Sequence, residues 1–445
     1  MAIPEGLRTA LNEIRETSIQ DNTLFARYVP EIMPDTDIGS YAAAITADQN
    51  VYNEFFQRLV KKIVYSQVQT REFRNKLKGL EGDRMPLGSI GEEIYINAVK
   101  GRRFNVDDFA GLLAKYDADM KVQYPAINSD IQYPVTITRA KAKTAFVSWE
   151  ALGNFISGIT DALYNGAYID EYNTTKGLVT DAYLTNSVQI ETVTAPTTAA
   201  TADAFITKAR ELFLNMQEPT DEYNAWAKVG GYGNAVITWS RPEDIVFILR
   251  NDVSSVVDVL SLAQAFNLEY KTLLGNIYTV KSFDVKDSEG TVVKDGSKIL
   301  GIMCDRSWFR IKSQDFELDE FYNANNRTWQ MYLNVVKMYQ YSLFANAVVF
   351  ATEAPTVKPT SISLVPSTAS VEEEDTVELK AVTVPFQANA TITYTSSAEA
   401  KATVAAKQGD NKTAVVTGVA DGSATITAAV DSVSGTATIT VTDPA

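Results

Sequence analysis

Between Trp149 and Leu163 the apolar positions fall at Trp149, Leu152, Ile156, Ile159 and Leu163, a three-four spacing that predicts one buried stripe along a helix. Gly153 and Gly158 interrupt it, each at about 1 kcal/mol relative to alanine, so packing has to hold this helix. Tyr168, Tyr172 and Tyr183 allow it to continue. The same periodicity predicts helices over 50–64 (Phe55, Phe56, Leu59, Ile63) and 204–216 (Phe205, Ala209, Leu212, Met216). A further one is marked by Val253, Val256, Val257, Leu260 and Ala263. Leu7, Leu11 and Ile14 line one face of a short amphipathic helix at the N-terminus. "LFARYVPEIMPDTDIGSYAAAI", residues 24–45, carries Pro30 and Pro34 and little periodicity, which predicts an extended region.

Strand patterns dominate later. "AVITW" (235–239) and "DIVFIL" (244–249) read as strands, "LGNIYTVKSF" as a turn and a strand, and "KDSEG" and "KDGS" as turns. "TWQMYLNVVKMYQYSLFANAVVF" (328–350) alternates along its length. Trp329, Met331, Leu333 and Val335 share one face, and Gln330, Tyr332 and Asn334 the other, as expected of the strand region that anchors a sheet. Residues 71–104 are rich in charge and glycine and weak in apolar pattern, which predicts a long projecting hairpin or loop. Such loops are uncommon inside a domain and usually functional or disordered.

A boundary stands at "ATEAPTVKPTS" (351–361), where two prolines sit in a small polar run. Beyond it arginine disappears, and Thr, Ala, Ser and Val dominate. Ile362 with Leu364, Val377 with Leu379 and Ala381, and Ile392 with Tyr394 alternate with polar residues. So do Ala424, Ile426 and Ala428, and Ala437, Ile439 and Val441. Short period-two strands at this spacing predict a small antiparallel sandwich, with "EEED" (372–375) as a solvated turn. The chain thus reads as α+β, an α+β body followed by an all-β domain.

Composition removes most chemistry. Among 445 residues there is no histidine and one cysteine, Cys304 in the apolar run "ILGIMCDRSWF". Ser-His-Asp and Cys-His catalysis and the common zinc sites are excluded, and no internal disulfide can form. "GGYGNA" (230–235) lacks the third glycine of a dinucleotide loop and reads as a turn. The close acidic pairs Asp117 with Asp119 and Glu92 with Glu93 read as solvated faces. A net charge of −15 argues against sequence-specific nucleic-acid binding. No apolar run approaches the ~18 residues of a membrane span, and the N-terminus reads without a classical secretory signal.

Four stretches carry a resemblance, in this order: "PLGSIGEEIY" (86–95), "KTAFVSWEALGNFISGITDALYNGAYIDEY" (143–172), "LAQAFNLEYKTLLGN" (262–276) and "SLFANAVVF" (342–350). The body resembles the major capsid protein of small, short-tailed (podovirus-type) double-stranded DNA phages. "VTGVADGSATITA" (416–428) and "GTATITVT" (435–442) resemble a bacterial Ig-like group 2 domain. The resemblance implies a Hong Kong 97-type capsid fold over 1–354. Its parts would be an N-arm (1–64) lying across a neighbour, an E-loop (65–100) reaching over an adjacent subunit, a peripheral domain (101–234 and 306–350) and an axial domain (235–305). A linker (355–360) and the Ig-like domain (361–445) would follow. The implied function is structural. The protein would self-assemble into pentamers and hexamers of a head enclosing double-stranded DNA, with a separate scaffolding protein and a portal or connector as assembly partners. DNA would be met without sequence specificity. No catalytic residue, cofactor, metal or membrane is implied. "RNKLKG" is basic and "GEEIY" acidic, so Arg74, Lys76 and Lys78 with Glu92 and Glu93 are the candidate inter-subunit contacts. The alternative is a secreted adhesin or surface-layer protein with a terminal Ig-like domain.

Overall fold

The chain folds as two units. The first comprises Met1–Ile90, Ala126–Thr174 and Ile311–Tyr339; the second comprises Gly91–Pro125, Thr175–Arg310 and Gln340–Ala445. The structure is a computed structural model. It describes all residues except 1–2, 4, 22, 66–72, 87–90, 100, 102–114, 116, 139–147, 230–234, 258–275, 288, 327 and 444–445. Of the predicted stripe positions, Leu260 and Ala263 and the side chains of Phe56, Ile63, Trp149 and Ile156 lie outside the described set, as does most of "GGYGNA".

The helices used below are α1 (Glu5–Gln20), α2 (Leu24–Tyr28), α3 (Ile38–Thr46), α4 (Gln49–Tyr65), α5 (Trp149–Leu184), α6 (Ala199–Asn215) and α7 (Asn251–Val256). The body strands are β1 (Glu93–Ile96), β2 (Met120–Gln123), β3 (Ser129–Thr138), β4 (Gln189–Thr192), β5 (Ile245–Arg250), β6 (Ile277–Val280), β7 (Val285–Lys286), β8 (Val292–Lys294), β9 (Ile299–Asp305), β10 (Phe309–Asn323), β11 (Thr328–Tyr341) and β12 (Ala347–Ala351).

In the first unit a three-stranded sheet, β10-β11-β3, packs one face against helices. Trp329, Met331, Leu333 and Val335 are buried on that face, as the alternation predicts. Against them lie Leu11 and Ile14 of α1, Tyr41 and Ile45 of α3, and Val51, Tyr52 and Phe55 of α4. Tyr52 and Tyr322 bracket Trp329 at ring distances of 5.4 and 4.6 Å. The predicted extended stretch at 24–45 is therefore corrected, because it forms α2 and α3. Its short helices bury only one or two large side chains each, too few to repeat a helical period. Caps define them instead. Asp37 accepts the backbone N–H of Ser40 at 2.9 Å, and the Glu54 carboxylate accepts the N–H of Phe25 at 2.9 Å. Burial pushes the Glu54 pKa up, but hydrogen bonds from Thr23, Phe25, Arg58 and Ser18 outweigh it and hold it below the usual range. The N-terminal residues thus fold onto their own chain.

The second unit holds a five-stranded sheet in the order β4-β12-β9-β5-β6. The runs "IVFIL" and "ILGIMC" are continuous apolar strands because both sheet faces are covered. Phe205, Ala209, Leu212 and Phe213 of α6 pack on Phe247, Leu300, Met303 and Phe350. Gly301 is required here: a Cβ would stand 2.7 Å from the Ile248 carbonyl oxygen of the adjacent strand. Two readings are corrected. "AVITW" is not a strand and contributes one bridge, Thr238 to Thr220. The alternating run 328–350 breaks at 342–346, because Asn224 and Asn346 bridge there and the chain re-enters as β12 in a different sheet. β4 and β12, from the predicted peripheral segments, complete the same sheet as β5, β6 and β9 of the predicted axial segment.

The tail forms two four-stranded sheets. One holds β13 (Ser361–Val365), β15 (Thr376–Val384), β18 (Asp410–Gly418) and β17 (Ala402–Lys407). The other holds β14 (Thr368–Glu372), β20 (Val433–Thr442), β19 (Gly422–Val430) and β16 (Thr393–Ser396). Leu379, Ala381, Val416, Ile426, Ile439 and Val441 make a core with small alanines between them. Gly435 allows close backbone approach, since a Cβ would stand 2.3 Å from the Ile362 carbonyl oxygen. "EEED" is the predicted turn, with Glu374 in the left-handed region at φ 66°. The all-antiparallel expectation is corrected because β14 pairs in parallel with β20. Residues 355–357 are bound to the module. Val357 N donates to Asn389 Oδ1 at 2.7 Å, and Asn389 Nδ2 donates to the Pro355 carbonyl at 2.9 Å.

Candidate functional site

Residues 73–86 of the predicted projecting loop are pinned to their own unit, which corrects that reading for this stretch. Leu77, Leu80 and Met85 are buried, and Lys78–Leu80 forms a 3-10 turn. The N–H of Gly82 donates to the Ile311 carbonyl at 2.9 Å and that of Met85 to Ser313 at 2.8 Å, so 81–86 runs along β10. Four charges close the anchor. Lys337, 3% exposed, donates to Glu171 at 2.7 Å and to the Glu81 carboxylate at 3.1 and 3.2 Å. Lys78 Nζ lies 3.2 Å from Glu171 and pairs with Glu81. Asn75 Nδ2 donates to Glu171 at 2.9 Å. Two lysines thus balance two glutamates. Burial raises the Glu171 pKa, but the Lys337 and Lys78 partners outweigh burial and hold it below the usual range.

The second surface is the two-stranded ladder β1–β2, in register from Glu93↔Gln123 to Ile96↔Met120. Its inner face is fastened within the second unit. Glu93 accepts from Ser342 Oγ at 2.6 Å and pairs with Arg310. Tyr95 hydroxyl donates to the Ile237 carbonyl, and its ring stacks on Phe344 at 5.7 Å. Asn97 exchanges bonds with the backbone at Ala235 (2.8 Å) and Ile237 (3.0 Å). The outer face is apolar and bare: Ile94, Ile96 and Met120 are 52%, 55% and 58% exposed.

The five predicted contact residues separate accordingly. Arg74, Lys76 and Lys78 belong to the first unit, and Glu92 and Glu93 to the second. Arg74, Lys76 and Glu92 are exposed. Lys78 and Glu93 are engaged in ion pairs within the subunit. Lys78→Glu is expected to destabilise the unassembled subunit by about 1–2 kcal/mol, because it sets a third carboxylate beside Glu81 and Glu171. Lys76→Glu should leave stability unchanged. Thermal denaturation of the two variants side by side checks the contrast. Sequence reading missed Glu81, Glu171 and Lys337, and the bare face of Ile94, Ile96 and Met120. Among the described residues no group of His, Cys, Asp or Glu is arranged to hold a metal. Cys304 is fully buried, and burial pushes its thiol pKa up.

The Phi29-like phage major capsid protein family matches residues 11–351. The chain belongs to that family. The bacterial Ig-like (group 2) family matches 359–441, the sandwich described above. The major capsid protein of Bacillus phage B103 is 29% identical over 367 residues, covering 82% of this chain and 77% of that one. That of Streptococcus phage Cp-1 is 22% identical over 301 residues, covering 66% and 81%. The solved capsid structure of Staphylococcus phage Andhra shares the fold, with a TM-score of 0.53 at 15% identity over 65% of this chain and 87% of that chain. This capsid protein has the Hong Kong 97-type fold. It is a structural protein of the virion shell that self-assembles, and it is not an enzyme. The adhesin alternative is not favoured. Among the described residues no helix is long and apolar enough to cross a membrane.

Proposed function

We propose that this capsid protein closes into rings of five and six, and that the outer face of the β1–β2 ladder docks on the neighbouring copy. The carrying observation is that face itself, with Ile94, Ile96 and Met120 bare while Glu93, Tyr95 and Asn97 behind them are bound. A tight inner face gives the ladder a fixed aim, and heterologous contacts of this kind close by rotation into rings. The five-stranded sheet of the second unit serves the ring centre. A scaffolding protein directs curvature, a portal or connector occupies one vertex, and the inner wall meets double-stranded DNA without reading sequence. The acidic net charge of −15 agrees with a wall that does not bind DNA tightly.

Electron microscopy of the purified chain, alone and with its scaffold, tests this reading. Rings and shells are expected; persistent monomers under both conditions would overturn it. A chain ending at Ala354 is expected to form shells of unchanged diameter. The removed module has its own core and lies beyond the family match at 351. Loss of assembly in that truncation would make the module part of the lattice.

A further inference from the structure

We propose that the cavity between the Ig-like module and the body residues Asn186 and Lys228 binds a phosphate-ester anion, gripped by Lys228 from the body and Lys412 from the module. The cavity has a volume of about 320 Å³, and its wall includes Asn186, Lys228, Phe386, Gln387, Asp410 and Lys412. Lys228 donates to Asn186 Oδ1 at 2.9 Å and to the Val188 carbonyl at 2.8 Å, which leaves one N–H of its ammonium. No carboxylate among the described residues lies within ion-pair distance of it. Burial pushes its pKa down to about 8, the mark of a cation without a counter-charge.

Lys412 donates to the Phe386 carbonyl and sits 4.7 Å from the centre of the Phe386 ring. The carboxylate in the wall, Asp410, already accepts Lys412 N at 2.9 Å and Thr413 Oγ1 at 2.6 Å. Two ammonium groups against one carboxylate leave the wall one positive charge in excess. The two lysines are tied through adjacent carbonyls, since Asn186 Nδ2 donates to the Gln387 carbonyl at 2.9 Å beside the Phe386 carbonyl that Lys412 holds. A half-buried cation without a counter-ion is costly, and an oxyanion would turn that cost into charge-assisted hydrogen bonds. Small-molecule sites start at about 300 Å³, larger than a bare phosphate needs, so the space fits an ester substituent. Because each side of the junction contributes one lysine, bound ligand would fasten the module to the body.

Titration calorimetry on the full chain, with inorganic phosphate and with glycerol 3-phosphate as separate probes, tests the site. Saturable binding is expected, several-fold tighter for the ester, and at least tenfold weaker in Lys228→Gln and in Lys412→Gln. Lys228→Gln retains N–H donors for Asn186 and Val188 but carries no charge. If it binds the ester like the unaltered chain, the lysine is a structural clamp and the proposal fails. Absence of saturable binding to either probe also overturns it. Equal affinity for both probes overturns the ester assignment. A rise in the thermal midpoint with ester, absent in the double variant, gives an independent readout that survives a modest loss of stability.

Discussion

Lys337→Met is expected to destabilise the unassembled subunit by about 3–5 kcal/mol, because it leaves Glu171 and Glu81 facing each other with only the half-exposed Lys78 between them. Lys337 is 3% exposed and Glu171 6%, so water cannot replace the lost partner. Urea unfolding of assembly-incompetent subunits measures the loss, and a change under ~1 kcal/mol would sink the view that the cluster is closed to solvent. The double variant Glu171→Met with Lys337→Met should lose less than the two singles added together, since Glu81 and Lys78 remain as a pair. The cluster also sets an acid limit. The Glu171 pKa is depressed in the folded state, so its contribution is complete above the ordinary glutamate value of 4.5. That contribution is lost as pH falls below 4.5 through the depressed value. Acid should therefore loosen residues 73–86 from β10, and the Lys337→Met subunit should show a shallower acid transition.

Ile94→Asp with Ile96→Asp should abolish shells while leaving the subunit folded. Both side chains are more than half exposed, so the charges meet water in the free subunit. On docking they would be buried without partners, and the forfeited apolar gain is about 1 kcal/mol per side chain, because only the exposed half of each remains to be buried. The deficit recurs at every subunit. Sedimentation velocity with the scaffold present, paired with far-UV circular dichroism, separates the outcomes. Normal shells would remove the ladder from the interface, and an altered spectrum would show that Ile94 and Ile96 support the subunit itself.

Long periodic elements were legible in the sequence. The three-four stripe led to α5, the alternation at 329–335 to β11, and the apolar runs to β5 and β9. Residues 73–86 were not legible, because what fixes them is a partner strand 230 residues away and a charge cluster. Two anomalies did mark that cluster. Lys337 continues the buried series 329, 331, 333, 335, and Glu171 continues the ridge of Leu163 and Ala167 at a spacing of four. A charge on each of two buried faces requires a partner of opposite sign, and the two are that partner for each other. The ladder was obscured for another reason. "EEIYI" pairs a bound face with a bare one, and both carry large side chains, so its alternation does not look amphipathic.

The hydrogen bonds that Asn389 donates to Pro355 and accepts from Val357 decide where this protein can be cut and rejoined. Residues 355–357 travel with the Ig-like module as its own first stitch, so a graft that begins at Ser361 would strand Asn389 and fray the donor. Thr352 and Glu353 stay with the body, since Thr352 N donates to the Lys298 carbonyl at 3.0 Å and Tyr183 donates to the Glu353 carbonyl at 2.6 Å, so the natural seam lies at Ala354. A fusion made there would give a capsid protein whose C-terminal module can be exchanged as a finished part.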